Sequence, residues 1–575
     1  MLCYVVYYTD TGVARVIEPK SVKDALNSLQ ADQWIMAIDA EVANLRSHSA
    51  YHLVPRSEPL QKGKRILRLT FVFKVKVKAD MTLEKFKARL CVVGSSMQQG
   101  TDFWESYSAT ARTTSIKLII ISTVASQWID FHFDLYGAFL TAGIDTDVYT
   151  DQPPGLPPEV GPNGEAMVWK LDKAIYGTVQ AARLFAIKLR TALLDIGFER
   201  CIDDPSVYRL DHKLGRIILG THVDDGIGGA STQAVLDWFY QNLLSRDFQF
   251  SADPGPWITL LGFGVKRDHA RHTVTLSARK YIETMYHDHM ADDAKACNVP
   301  TPALPDVATF QPPPAETDAQ AAAAEPMRKL CRALIGSLLY IAQIHPGIVE
   351  AVARLCAFMA KPTVEVYRAA KRVLTWLWHR KDLGVTYGGP DITCLEDLIP
   401  PDAAPIAPMS PRRGPHLTCC VDSDLSKATM PAATVSEATA NPADRNSSRS
   451  QLGYEISIAH GCLEAVSRRQ VSVAVDAAAA EVFAASTAAA SLITVVGTLR
   501  FVSFGILGTT PVPLWCDNEA CIMVSKDATS LKRLSYITRR VRLLQELAAH
   551  GVVVLHKVPG TANPADALTK VLALK

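Results

Sequence analysis

Two groups of acidic residues in this 575-residue chain have the types and spacing to hold divalent cations. The first contains Asp224 and Asp225, which end an apolar run (Arg216 to Val223, RIILGTHV) and precede a Gly-rich segment. It also contains Asp134, which ends an alternating run (Trp128 to Asp134, WIDFHFD) 90 residues earlier. Phosphoryl transfer with two metal ions needs hard oxygen ligands that converge from separate strands, and carboxylates at strand ends supply them. An Asp-Asp pair after a strand is, by itself, also an ordinary turn. The second group is Asp422 after LTCCV, Glu481 in an Ala-rich run, Asp517 after PLWC, and Asp566 in PADALTK. Taken singly, each of these acids fits a helix cap or a surface charge.

The elements that must carry these residues are legible as hydrophobic periodicity. Arg68 to Lys78 (RLTFVFKVKVK) alternates apolar and basic residues, as a half-buried strand does. The run into Asp224 is a strand ending in a tight turn, and Gly226 to Gly229 belongs to that hairpin rather than to a phosphate loop. Met327 to Leu339, Ile348 to Met359 and Val364 to Trp378 carry apolar residues at helical spacing. The C-terminal part alternates strands (Leu417 to Val421, Leu452 to Ile458, Val512 to Cys516, Val552 to Val558) with helices (Ala477 to Ala490, Thr538 to His550), which fits a small α/β sheet domain. Two Pro-rich breaks, Pro302 to Pro326 and Gly388 to Pro415, read as linkers or surface loops.

Composition bounds the rest. The net charge of +2 says little about partners, but Arg56 to Arg89 holds eleven Lys/Arg against three Asp/Glu. Such an excess suits a polyanion, or else a solvated face of strands. Lys526 to Arg542 holds six Lys/Arg against one Asp. The twelve cysteines include no C-x-x-C pair, which suits a reduced, intracellular protein without a structural zinc site. Met1 to Tyr8 is apolar but lacks a basic flank, so no signal peptide is expected. The charge-free stretch Val482 to Leu499 is diluted by Ala, Ser, Thr and Gly, and no membrane segment is expected. Asp10-Thr11-Gly12 has the aspartic-protease triplet without the rest of a protease, and His287/His289 is read as a solvated turn at a helix end.

The order of short motifs is more specific than any one of them. His222-Val223-Asp224-Asp225 resembles the Tyr-Val-Asp-Asp box of reverse transcriptases, and FDLYGAFL (Phe133 to Leu140) resembles the LDVKNAFL box of the copia-type enzymes. KARLCVVG (Lys87 to Gly94), QPPG (Gln152 to Gly155), LDKAIYGTVQAARLF (Leu171 to Phe185) and Asp204-Pro205 with Tyr208 follow in that family's order. RALIGSLLYIA (Arg332 to Ala342) and AAKRVL (Ala369 to Leu374) continue it, and Glu18-Pro19-Lys20 with Trp34 resembles its opening. In the C-terminal part, Val421-Asp422-Ser423-Asp424, Glu481-Val482-Phe483-Ala484, Cys516-Asp517-Asn518 and ADALTK (Ala565 to Lys570) are similar to the four acidic motifs of the copia-type ribonuclease H.

The resemblance, to the reverse transcriptase plus RNase H region of a copia-type LTR-retrotransposon Pol polyprotein, covers nearly the whole chain. It implies an α+β fold: a right-hand polymerase with fingers, palm and thumb, followed by an RNase H-like α/β domain. The expected layout is an N-terminal segment (1–60), fingers and palm (61–300), a helical thumb and connection (301–387), a Pro-rich linker (388–415) and the RNase H-like domain (416–575). Asp134, Asp224 and Asp225 would hold metal for the polymerase, and Asp422, Glu481, Asp517 and Asp566 for the nuclease. The ion would be Mg2+, with Mn2+ as the alternative. Arg89 would contact the incoming triphosphate, Gln180 would line the nucleotide pocket, and Phe139 would exclude a ribose 2′-OH. The partners implied are an RNA template, a DNA primer, the RNA–DNA hybrid and dNTPs, in a cytoplasmic particle or the nucleus; no oligomeric state follows.

The chain departs from the family pattern in places. His222 replaces the usual tyrosine beside the primer terminus. Ala181 and Ala182 replace Ser-Pro, and Phe185 replaces tryptophan. Ala479 replaces a glutamate, and Tyr536 stands where a histidine is expected. These departures leave two other readings: a retroelement relic that only binds nucleic acid, and a nuclease whose polymerase part is scaffold.

Overall fold

Alternation in the basic segment builds a hairpin. In the computed structural model of the chain, Leu69–Val77 pairs antiparallel with Leu83–Val92. Leu69, Phe71, Phe73 and Val75 face inward, and the residues between them, Lys74 and Lys76 included, face solvent. The buried face packs on Trp34 of the Ala31–Ser47 helix, whose indole meets Phe73 and Phe86 edge to face. The structure describes residues 4–9, 12–77, 82–162, 164–252, 254–290, 297–303, 316–400, 413–425, 449–526, 534 and 536–570. Asp10 and Thr11 of the protease-like triplet lie outside the described residues, as do parts of both Pro-rich breaks and much of the basic stretch from Lys526.

The five-stranded antiparallel sheet that carries Asp134 and Asp225, called the palm sheet after the expected layout, has the order Glu199–Arg200, Val207–His212, Gly215–His222, Asp225–Ala230, Ile129–Asp134. Pleating sends Ile217 and Leu219 to one side and Ile218 to the other. One side is covered by the helices Ala181–Ile196 and Gln233–Leu244 through Phe185, Leu189, Leu193 and Phe239. The other meets Thr113–Ala125, a helix buried at every residue from Ser115 on. Such a helix must be enclosed on all sides. It lies between the palm sheet and the C-terminal helix Ala477–Val502. The glycines of the Asp225–Ala230 strand allow this thinness. A Cβ on Gly226 would fall on the Phe133 ring, and one on Gly229 on the Thr123 side chain.

The next unit pairs an antiparallel sheet (Thr259–Leu260, Phe263–Asp268, Thr273–Ser277, Gly384–Gly388) with four helices: Arg279–Met290, Asp318–Ala342, Val349–Cys356 and Val364–Trp378. One sequence expectation is corrected here, and another holds in part. The stretch Pro302 to Pro326 is not linker throughout, because the second of these helices begins at Asp318 and contains Pro326. A capping box between Thr317 and Gln320 and the run of alanines favour helix there. His287 and His289 lie in the last turn of the Arg279–Met290 helix, the helix end expected for them; His287 is exposed, whereas His289 is half-buried, with Nδ1 3.1 Å from the Tyr367 hydroxyl.

The C-terminal sheet has the order Gly461–Arg469, Gln451–Ile458, Thr418–Asp424, Val512–Cys516, Val553–Lys557. The first three strands are antiparallel and the last two run parallel to Thr418–Asp424. The Gly461–Arg469 strand was not evident in the sequence. Its hairpin turns through Ala459 and His460, both at positive φ (51° and 64°), where Asn-Gly is the usual signal. The helix Ala477–Val502 extends beyond the expected Ala490 and is long and apolar enough to cross a membrane. Within the protein, 61% of its most apolar window is buried.

These units share one core. Lys117, on the enclosed helix, donates from Nζ to Gln343 O (2.6 Å), just past the Asp318–Ala342 helix, and to Leu463 O (2.7 Å), on the Gly461–Arg469 strand, joining three units. The Arg209 guanidinium lies 4.6 Å from the Phe501 ring centre, and Arg354 donates to Thr569 O (3.1 Å).

Candidate active sites: two carboxylate clusters

The first cluster is set by strand register. Asp134 and Asp225 are direct partners across the last two palm strands. Asp224 occupies the hairpin loop with Val223, whose φ of 59° is a strained conformation for a β-branched residue. Leu135 N donates to Asp224 O (2.9 Å), which ties the loop to the end of the Asp134 strand. Burial holds the Asp224 carboxyl above its ordinary range; Asp134 and Asp225 add to the effect, while Asp224's own backbone and Arg89 oppose it. A buried acid raised by neighbouring acids is a group that a cation would stabilise.

Arg89 comes from the basic hairpin. Its guanidinium lies 4.7 Å from the Tyr176 ring centre, and its Nε is buried without a partner. Phe139, on the short Ala138–Thr141 turn, meets the same Tyr176 edge to face at 5.0 Å. Arg89, Tyr176 and Phe139 thus form one wall, and burial raises the Tyr176 phenol while Arg89, Asp224 and Asp134 act on it electrostatically. Gln180 is the residue before the Ala181–Ile196 helix. It is fully buried and donates from Nε2 to Asp102 O (3.1 Å) and Thr146 Oγ1 (3.2 Å). His222 is half-buried, with no partner for Nδ1.

The second cluster draws its four acids from four elements. Asp422 lies on the central strand Thr418–Asp424, and Asp517 follows the adjacent parallel strand. Glu481 lies on the first turns of Ala477–Val502, a helix capped by Asp476 on Ala479 N (2.7 Å). Asp566 sits on the 3-10 turn Pro564–Leu568, which Asn563 fixes by donating to Val421 O (2.8 Å). One oxygen each from Asp422, Asp517 and Asp566 lies within 4.8 Å of the others, and Glu481, Cys516 and Asp517 form an overlapping group of the same size. Burial pushes the Asp422 carboxyl up to about 6, with Thr569 and Lys570 opposing, and pushes Glu481 up to about 10, with Cys516, Asp422 and Asp517 adding. The oxygen-rich donor set fits a hard divalent ion.

The two clusters differ in closeness. Among the described residues, Asp134, Asp224 and Asp225 are not a set whose oxygens all lie within 4.8 Å. Asp225 Oδ1 is instead 3.2 Å from His132 Nε2. His132 was not singled out in the sequence, although it lies two residues before Asp134 and so on the same face of the strand. Tyr176, Cys516, Thr569 and Lys570 were also missed as site neighbours. The contacts of Tyr176 with Arg89, Cys516 with Glu481 and Thr569 with Asp422 join segments far apart in the chain and leave no periodic signal, whereas Lys570 and Asp566 are an i,i+4 pair within the ADALTK motif. Tyr536, in place of the expected histidine, is half-exposed and accepts from Val475 N (3.1 Å).

Residues 49–303 match the family described as reverse transcriptase (RNA-dependent DNA polymerase). Over 96% of its length the chain is 27% identical to the Retrovirus-related Pol polyprotein from transposon TNT 1-94 of Nicotiana tabacum, covering 38% of that protein. Over 99% of its length it is 26% identical to the Pol polyprotein from transposon RE1 of Arabidopsis thaliana, covering 34%. The chain thus spans little more than a third of these relatives. The solved structure of a foamy viral protease-reverse transcriptase in complex with RNA/DNA hybrid is similar over 95% of this chain and 56% of that one, with a TM-score of 0.46 and 10% identity.

Proposed function

We propose that this chain, whose residues 49–303 belong to the reverse transcriptase family and which is similar along nearly all its length to copia-type Pol polyproteins, is an RNA-directed DNA polymerase with ribonuclease H activity. The observation that carries this reading is the presence of two separate carboxylate clusters, one where Asp134 pairs with Asp225 across the palm strands and one drawn from four elements of the C-terminal domain.

In the polymerase reaction a primer 3′ oxygen attacks the α-phosphorus of a dNTP, and pyrophosphate leaves. Asp134, Asp224 and Asp225 would hold magnesium, which supplies activation of that oxygen and neutralises the charge on the leaving phosphates. Arg89 faces the same space, and its planar fork suits the triphosphate oxygens. Phe139 stands behind Tyr176 as the bulky group near the sugar. Gln180, whose Nε2 is held by Asp102 O and Thr146 Oγ1, would line the nucleotide pocket. His132 would orient Asp225. In the nuclease reaction Asp422, Glu481, Asp517 and Asp566 would hold magnesium at the RNA strand of the hybrid. The basic face of the Leu69–Val77 hairpin would carry template phosphates. A particle in the cytoplasm, or the nucleus, is where such a chain would meet its RNA.

The test is dNTP incorporation on a primed poly-rA template with magnesium, together with cleavage of an RNA–DNA hybrid. Asp224→Asn is expected to abolish incorporation and spare cleavage, and Asp517→Asn to do the reverse. Loss of neither activity in its variant would refute the assignment of the two clusters.

A further inference from the structure

The second cluster contains a cation of its own. Lys570 Nζ lies 3.0 Å from Asp566 Oδ1 and 3.5 Å from Asp422 Oδ2. These are two of the three acids whose oxygens lie within 4.8 Å of one another. The same Asp422 Oδ2 also accepts from the Thr569 hydroxyl, so this oxygen is already engaged twice. We propose that Lys570 is a resident counter-ion of this cluster, and that a divalent ion binds Asp422 and Asp566 only by displacing its ammonium. The inference rests on the nuclease reading of these four acids.

The argument is electrostatic and mechanical. Asp422 is 2% exposed at its side chain, so its charge cannot be relieved by water and needs a cation nearby. The ammonium does this in the metal-free chain. A divalent ion using the same oxygens would sit within a few ångströms of the ammonium, where two cations repel strongly. The Lys570 side chain is 41% exposed and can swing outward on its flexible stem. Its backbone stays behind, because Arg354 Nη2 donates to Thr569 O (3.1 Å) and Lys570 N donates to Asp566 O (3.0 Å). Binding is therefore an exchange of one cation for another. Lys570 would weaken metal affinity while stabilising the empty site, so that its removal moves the two quantities in opposite directions.

The experiment uses the full chain with the first cluster silenced by Asp134→Asn and Asp224→Asn, and compares Lys570, Lys570→Met and Lys570→Arg. Mn2+ binding is followed by electron paramagnetic resonance, and thermal midpoints are measured with and without MgCl2. Lys570→Met is expected to lower the metal-free midpoint, to enlarge the rise produced by magnesium, and to tighten Mn2+ binding about tenfold. Lys570→Arg keeps the charge and should stay near the unsubstituted chain. Mn2+ affinity that is unchanged or weaker in Lys570→Met would overturn the proposal. Hybrid cleavage by the chain without these substitutions separates the two readings. Tighter Mn2+ binding in Lys570→Met, with no cleavage by the unsubstituted chain, would sustain the Lys570 assignment and remove the nuclease. Cleavage without any change in affinity would do the opposite.

Discussion

Protonation decides how the buried acids behave. Burial pushes the Asp422 carboxyl up to about 6 in the folded chain, well above an unfolded aspartate. The folded state therefore holds its proton more tightly than the unfolded state. Stability from this group is fully present below the ordinary aspartate range and is lost as pH rises through about 6. Metal needs the deprotonated form, so magnesium should stabilise the chain more above that pH than below it. Thermal midpoints measured with and without magnesium across that pH are expected to diverge as pH rises. Convergence would contradict the burial argument. Arg89 acts in the opposite sense on Asp224, holding its carboxyl down against burial. Arg89→Gln should move the acid limb of the incorporation pH profile to higher pH and raise KM for dNTP. A profile that stays in place would show that Arg89 does not reach Asp224.

Elements place those residues by close approach. The strand that begins with Asp225 has glycine at 226, 228 and 229, and it runs between aromatic side chains and an enclosed helix. A Cβ on Gly228 would meet the Ile218 carbonyl, which is backbone and cannot yield, as well as the Phe131 ring. Gly228→Ala is expected to cost roughly 1–3 kcal/mol of stability through overpacking. It should also reduce incorporation by displacing Asp225 from Asp134, with hybrid cleavage less affected. Denaturant unfolding and the two activity assays check this. An unchanged midpoint would mean that the palm strand has room to move.

The whole molecule is held by a polar junction inside an apolar core. Burial lowers the pKa of Lys117, yet two carbonyls from different units depend on its ammonium. Lys117→Met removes that donor and strands two acceptors, at roughly 1–3 kcal/mol for each carbonyl left buried without a partner. The expected result is a lower thermal midpoint and faster proteolytic release of the C-terminal domain. Proteolysis at the original rate would show that the apolar contacts between Thr113–Ala125 and Ala477–Val502 hold the domains without it.

The sequence by itself determined the local elements and the identity of the acids. The alternating run into Asp134, the apolar run into Asp224, the strand before Asp422 and the helix Val364 to Trp378 are local patterns, and the structure bears them out within a few residues. The ordered motifs pointed to reverse transcriptase before any geometry was known. Only the tertiary structure decided which groups touch. The strand Gly384–Gly388 exists because Thr273–Ser277 lies beside it, and Gly461–Arg469 turns through Ala459 and His460 without the usual turn residues. The bond from His132 to Asp225, the ammonium of Lys570 between two acids, and the amide of Gln180 turned onto Asp102 and Thr146 each depend on register or on packing between distant segments. Periodicity reports which face a residue occupies. Which partner stands opposite is set by long-range closure, which a linear pattern does not encode.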